Sequence, residues 1–149
     1  MESEILRHFL ATLSYRTTIA IQHVPSNFPT LDIGNNARKP IEILNHMTFL
    51  MGYVIHCYER INLDDFRHIK DWEIEKNRFY ETLEKVDLIL SEGVKPSERS
   101  VEQLLQGPFS DAMTHVGQLT LMRRLADAPT TYENFMNSTI NKGLIYPHN

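Results

Sequence analysis

The sequence is poor in most of the features that assign a chain to a class at sight. It has one cysteine, so no intrachain disulfide can form and a disulfide-stapled secreted scaffold is excluded. It has no basic surplus: 15 Lys and Arg stand against 19 Asp and Glu, a formal net charge of −4. A nucleic-acid surface normally needs a basic stripe, so no nucleic-acid partner is expected. No apolar run approaches the roughly 20 residues that span a bilayer, so no membrane partner is expected either. The opening MESEILRHFLATL lacks the basic start and unbroken apolar stretch of a signal peptide. With the lone cysteine, this leads to the expectation of a reducing, cytoplasmic location. Strand-like alternation, internal repeats, low-complexity runs, a Gly-rich phosphate loop and a nucleophile elbow are all missing.

What is present is an ordinary globular mixture, 42% hydrophobic and 23% charged over 149 residues, read as a single domain over 1–149. The periodicity is helical almost throughout. Ile5, Leu6, Phe9, Leu10, Leu13, Thr17 and Ile21 recur at three- and four-residue spacing and predict a first amphipathic helix. The stretch 25–40 holds three prolines and a glycine and reads as a long loop whose length needs a reason. Pro40 suits the first position of a second helix. There Ile43, Met47, Leu50, Val54 and Tyr58 form an apolar arc, and Glu42, Asn45, His56 and Glu59 a polar one. A third helix is predicted over 70–90, with a seam of Trp72, Phe79 and Val86 interleaved with Lys76, Leu83 and Leu90. Gly93 and Pro96 stop it. Residues 100–106 read as a short helical turn, broken by Gly107-Pro108, before a fourth helix over 108–126. A weak fifth helix is predicted over 132–140 with Thr131 as its cap, followed by an extended tail from Gly143. The expected class is all-α, a four-helix bundle with a short extra C-terminal helix.

The fourth helix carries the chemistry. Ala112, Val116, Leu119 and Ala126 cluster on one arc, and Asp111, His115, Gln118 and Met122 lie along its edge. Asp111 and His115 are four apart, so both side chains leave successive turns in the same direction. A carboxylate and an imidazole at that spacing can chelate one divalent ion, and the same spacing also suits a plain hydrogen bond. On the second helix His46 falls at the margin of the apolar arc, whereas His56 falls on the polar side and is expected to be solvated. Three inward polar groups on two helices need pairing or ligation, because burying them unpaired is costly. Cys57 is eleven residues from His46 on the same helix, roughly 16 Å along the axis, so the two cannot form a dyad. Cys57 reads as a small hydrophobe. Arg123 projects into the apolar arc of the fourth helix and calls for a carboxylate, with Glu133 the nearest in sequence. Trp72 reads as core.

These residues resemble a known family. The run GPFSDAMTHVGQLTLMRRLADAP at 107–129 is similar to the last bundle helix of DinB-like proteins. RKPIEILNHM at 38–47 resembles the start of their second helix, DWEIEKNRFYETLEKVD at 71–87 their third, and YENFMNSTINKG at 132–143 the tail of one branch. The resemblance implies an up-down-down-up four-helix bundle and a homodimer whose interface would use exposed apolar residues of the first or last bundle helix. It also implies a divalent metal on three ligands, one from the second helix and two spaced four apart on the last. Here those positions are His46, Asp111 and His115, a DxxxH in place of the family's HxxxH, giving two histidines and a carboxylate. The metal would be zinc, nickel or manganese, with Gln118 lining the pocket or supporting a ligand. Activities assigned in the family include bacillithiol and mycothiol S-transfer and thiol-dependent maleylpyruvate isomerisation. A metal-dependent enzyme acting on a small molecule, by thiol transfer or hydrolysis, is therefore one expectation. The other is a metal-free, non-catalytic bundle in which the three residues form a hydrogen-bond network and the protein binds a small molecule or a second copy.

Overall fold

The computed structural model describes residues 2–145. It is all-helical, with four long helices and no strand among the described residues. Helix α1 is Glu2–Ile21, α2 is Pro40–His56, α3 is Trp72–Ser91, α4 is the single turn Val101–Leu104, and α5 is Ser110–Leu125. No helix among the described residues is long and apolar enough to cross a membrane.

Local chemistry explains where the helices start. Pro40 supplies its preset φ at the first position of α2, and Glu42 Oε1 accepts the Lys39 N–H at 2.8 Å. Asp71 caps α3 by accepting the Ile74 N–H at 3.0 Å. Ser100 and Gln103 form a capping box on α4, with bonds of 2.9 and 3.1 Å. The chain does not break at Gly107-Pro108, as its sequence led us to expect. It passes from α4 through a π-helical turn, Leu105–Phe109, directly into α5. The wider turn tolerates Pro108, which lacks an N–H, and Ser110 Oγ donates to the Leu105 carbonyl at 2.6 Å. Asp111 therefore stands one residue beyond the C-cap of a π turn.

Helix α1 packs on α3 and α5, and α2 packs on the same two helices. Leu6, Leu10, Leu13 and Ile21 of α1, Leu44, Met47 and Met51 of α2, Phe79, Leu83 and Leu90 of α3, and Phe109 and Leu119 form one core. Each such side chain contributes roughly 1.5–3 kcal/mol on burial. Ile5 is the exception on the first arc and faces solvent. The long loop after α1 has its reason in Phe28, which is fully buried and meets Trp72 edge-on at 6.2 Å between ring centroids. Turns on either side hold it, with Phe28 N–H donating to the Pro25 carbonyl and Leu31 N–H to that of Phe28, each at 3.0 Å.

Two polar ties differ from the sequence expectation. Arg123 is buried, yet its partners are carbonyls: Nε donates to Ala128 O at 2.7 Å, and Nη1 to Ala20 O and Gln22 O at 3.0 and 3.1 Å. It closes the C-terminal end of α1, where free carbonyls and the helix dipole favour a cation. Glu133 instead accepts Tyr15 Oη at 2.5 Å and the Ser138 hydroxyl. The helix expected over 132–140 is reduced to a 3-10 turn, Phe135–Asn137, capped by Asn134 and not by Thr131. Residues 126–145 form a strap fastened to the helices by Glu133, by the Arg16 guanidinium 4.3 Å above the Phe135 ring, and by buried Ile145. Gly143 allows this course with φ +86 where the strap passes Arg7, itself paired with Asp87 at 2.9 and 3.0 Å. Of the tail expected to be extended from Gly143, residues 146–149 lie outside the described residues.

Candidate metal centre

The contact between α2 and α5 brings His46 to the Asp111–His115 pair, which the helical spacing had already aligned. One donor atom from each of the three residues lies within 4.8 Å of the others. His46 Nε2 is 3.8 Å from Asp111 Oδ2, and His115 Nε2 is 3.6 Å from Asp111 Oδ1. The imidazole rings meet edge-to-face at 5.1 Å and 86°. The side chains are graded in exposure, 8% for His115, 26% for His46 and 50% for Asp111. His115 thus forms the floor and Asp111 the rim.

Neither imidazole–carboxylate separation is a hydrogen bond, which needs about 2.7–3.2 Å. At His115 the other nitrogen has a partner of its own. Nδ1 lies 2.8 Å from Gln118 Oε1, one turn further along α5. A carbonyl oxygen only accepts, so Nδ1 carries a proton, and Nε2 is the nitrogen that faces Asp111. His46 is held below the ordinary histidine range, chiefly by burial, then by Arg38 and by His115, with Asp111 opposing. The Nε2 atoms of His46 and His115 both face the Asp111 carboxylate.

A cation suits this arrangement. Bonds of about 2.0–2.2 Å to a four-coordinate ion place neighbouring donor atoms about 3.3–3.6 Å apart. The two imidazole–carboxylate separations, 3.6 Å to Oδ1 and 3.8 Å to Oδ2, are close to that range, and a set of one donor atom from each residue lies within 4.8 Å, so the donors draw closer around an ion. Two nitrogens and a carboxylate oxygen form a donor set for zinc, nickel or manganese with open positions left over. Gln118 stands where it could orient His115 as a ligand, in the place of the carbonyl or carboxylate neighbour that a ligating histidine normally has.

His46 also lines a cleft of about 430 Å³ with Arg38, Glu42, Asn45, Phe49, Phe66, Arg67 and Ile69. Phe66 sits flush on α2 because Gly52 has no side chain; a Cβ there would stand 3.0 Å from the ring. Gln118 faces the other way, lining a separate apolar groove of about 540 Å³ with Ile33, Leu121 and Met122. The two hollows share Arg38.

Three further residues differ from, or were missing in, the sequence reading. Asn45, assigned to the polar arc, is buried and donates to Glu75 Oε1 at 3.0 Å. Glu75, which periodicity did not single out, is fully buried; its Oε2 accepts the Lys70 N–H at 2.7 Å and Arg78 Nη1 at 3.1 Å. The only signal was that a helix bearing Glu75 three residues before Arg78 can close an i,i+3 pair. His56, expected to be solvated, is half-buried and accepts the Ile61 N–H at Nδ1, 3.1 Å away. Cys57 is buried as expected, and burial pushes its thiol up, away from the reactive thiolate. No family model, no curated protein and no solved structure matches the chain.

Proposed function

We propose that this protein is a metal-dependent enzyme of the DinB-like type, its four long helices forming an up-down-down-up bundle, with a divalent ion held by His46, Asp111 and His115. The observation that carries the reading is the convergence of one donor atom from each of these residues within 4.8 Å, with His115 Nδ1 engaged by Gln118 and Nε2 facing the Asp111 carboxylate at 3.6 Å. Converging polar atoms that make no hydrogen bond to one another would each gain a partner in a cation placed among them. The metal-free network needs shorter contacts.

When bound, a divalent ion supplies Lewis acidity, lowering the pKa of a thiol or a water brought to an open position. The chain's own groups do the rest. Gln118 fixes the His115 ring and its tautomer. Burial and Arg38 favour the neutral form of His46, the form that ligates. Asp111, half exposed, contributes the negative charge and leaves the approach from solvent open. Thiol transfer and hydrolysis use the same three ligands, and a thiol-dependent transferase is the form we favour on the DinB-like resemblance.

The same reading includes a cytoplasmic homodimer, with exposed Ile5 on α1 or Leu121 and Leu125 on α5 as its apolar contacts. Sedimentation velocity of wild type against Leu121→Glu tests it; a monomeric wild type removes the dimer.

The test of the metal is its measurement by inductively coupled plasma mass spectrometry, on untagged protein purified without a metal column. About one zinc, nickel or manganese per chain is expected, falling to background in Asp111→Ala/His115→Ala. Full occupancy in that double variant would sink the assignment of ligands. No uptake by wild type from excess zinc, nickel or manganese would leave the non-catalytic protein that binds a small molecule or a second copy.

A further inference from the structure

The cleft beside His46 has a composition that the ion alone does not explain. Two of its lining residues are arginines, Arg38 and Arg67, and one is a carboxylate, Glu42. Glu42 is engaged by the Lys39 N–H at the start of α2. Arg7, Arg60 and Arg78 each pair with a carboxylate elsewhere in the molecule. Among the described residues Arg38 and Arg67 have no ion-pair partner. The Arg67 guanidinium instead lies over the Phe49 ring, 5.2 Å from its centroid, and Phe49 in turn stacks on His46 with 13° between ring planes. Phe66, seated against Gly52, and Ile69 complete an apolar wall. The volume, about 430 Å³, is in the range of small-molecule clefts.

We propose that this cleft binds a small organic carboxylate with a flat apolar body, and that such anions are the substrate class presented to the ion. The guanidinium groups match a carboxylate through paired N–H donors, the strongest neutralisation available to an exposed arginine. The phenyl rings of Phe49 and Phe66 take the apolar body, and His46 places the ligand beside the three converging donor atoms. As a statement about substrate it rests on the metal reading; the binding itself requires only the cleft.

The experiment uses the full chain, stripped of metal with a chelator, and two probes of the same shape: benzoate and its uncharged counterpart benzamide. Titration is followed by ligand-observed NMR or calorimetry. Benzoate is expected to bind about tenfold more tightly than benzamide, about 1.4 kcal/mol. In Arg38→Gln/Arg67→Gln the preference is expected to shrink to about twofold or less. Both side chains are exposed, so the variant keeps its fold, checked by its thermal transition. Equal affinity for the two probes, or an undiminished preference in the double variant, would overturn the proposal. So would benzoate binding that appears only after zinc is added and ignores the arginines, because the carboxylate would then be on the ion. A zinc titration of the same sample separates the two ideas. Arginine-dependent benzoate binding without zinc uptake supports the cleft and removes the metal reading. Zinc uptake with no benzoate preference does the reverse.

Discussion

Asn45 and His46 are neighbours in the chain and belong to opposite kinds of polar cluster. Asn45 enters a closed set: Glu75 is fully buried, and its two oxygens meet Asn45, Arg78 and the Lys70 backbone at 2.7–3.1 Å. Arg78 also reaches the carbonyls of Asp65 and His68, so the set pins the 61–71 connection to α2 and α3. His46 enters an open set, in which one donor atom from each of three side chains lies within 4.8 Å of the others and the carboxylate stands 3.6 and 3.8 Å from the two imidazoles, without a hydrogen bond between them. Burial alone does not distinguish the two sets, since Glu75 and His115 are both buried. Satisfaction does: both oxygens of Glu75 have partners, whereas Asp111 makes no hydrogen bond to either imidazole.

The largest effect that sharpens this contrast is at Glu75. Glu75→Ala leaves Asn45 and Arg78 without their carboxylate, and we expect a loss of about 3 kcal/mol in urea unfolding. A loss below about 1 kcal/mol would place the closed set on the same footing as the open one. Next is Gln118→Leu, which frees the His115 tautomer. Zinc affinity, measured by competition with a chromophoric chelator, is expected to fall about 10–100-fold with little change in stability. An unchanged affinity would remove Gln118 from the site.

A smaller effect is expected at the strap. Glu133 is held below its ordinary value of 4.5 by the hydroxyls of Ser138 and Tyr15. Its folded-state value is lowered, so its contribution is present above the ordinary carboxylate range and disappears as pH falls through the lowered value. Tyr15→Phe should cost about 1 kcal/mol at neutral pH and raise the Glu133 midpoint toward 4.5 in a carboxyl NMR titration. A midpoint that does not move would mean that Ser138 alone sets it. The smallest effect is the most diagnostic. Asp111→Asn in metal-free protein should change stability by under about 0.5 kcal/mol, because the carboxylate makes no hydrogen bond to either imidazole. A loss of about 2 kcal/mol would make the open set a closed one after all.

Part of this was legible in the residues. Pro40 announces a helix start because its preset φ acts within one turn of chain; the caps at Asp71 and Ser100 emerged only in the structure. The Asp111–His115 alignment follows from spacing four on a helix, and Gln118, one turn on, falls within reach of His115 for the same reason. The errors have equally specific causes. Asn45 lies on a polar arc by periodicity, but Glu75 of α3 meets it there and buries it. An inward cation such as Arg123 calls for a carboxylate, and the end of α1 supplies carbonyls in its place. Gly107-Pro108 read as a break because an α-helix cannot hold proline without loss, whereas a π turn can. Residues 132–140 have helical spacing but too little apolar surface to stabilise a helix, and their side chains serve the strap.

By itself the sequence determined the four long helices, the start of α2 at Pro40, the alignment of Asp111 with His115, and the margin position of His46. These depend on hydrogen bonds and side-chain directions within four residues along the chain. Only the tertiary structure decided that α2 meets α5, that Glu75 is closed and His115 is not, and that two unpaired arginines share a cleft with His46. Those outcomes depend on which helix faces which, set by the packing of the whole apolar core and not by any local stretch.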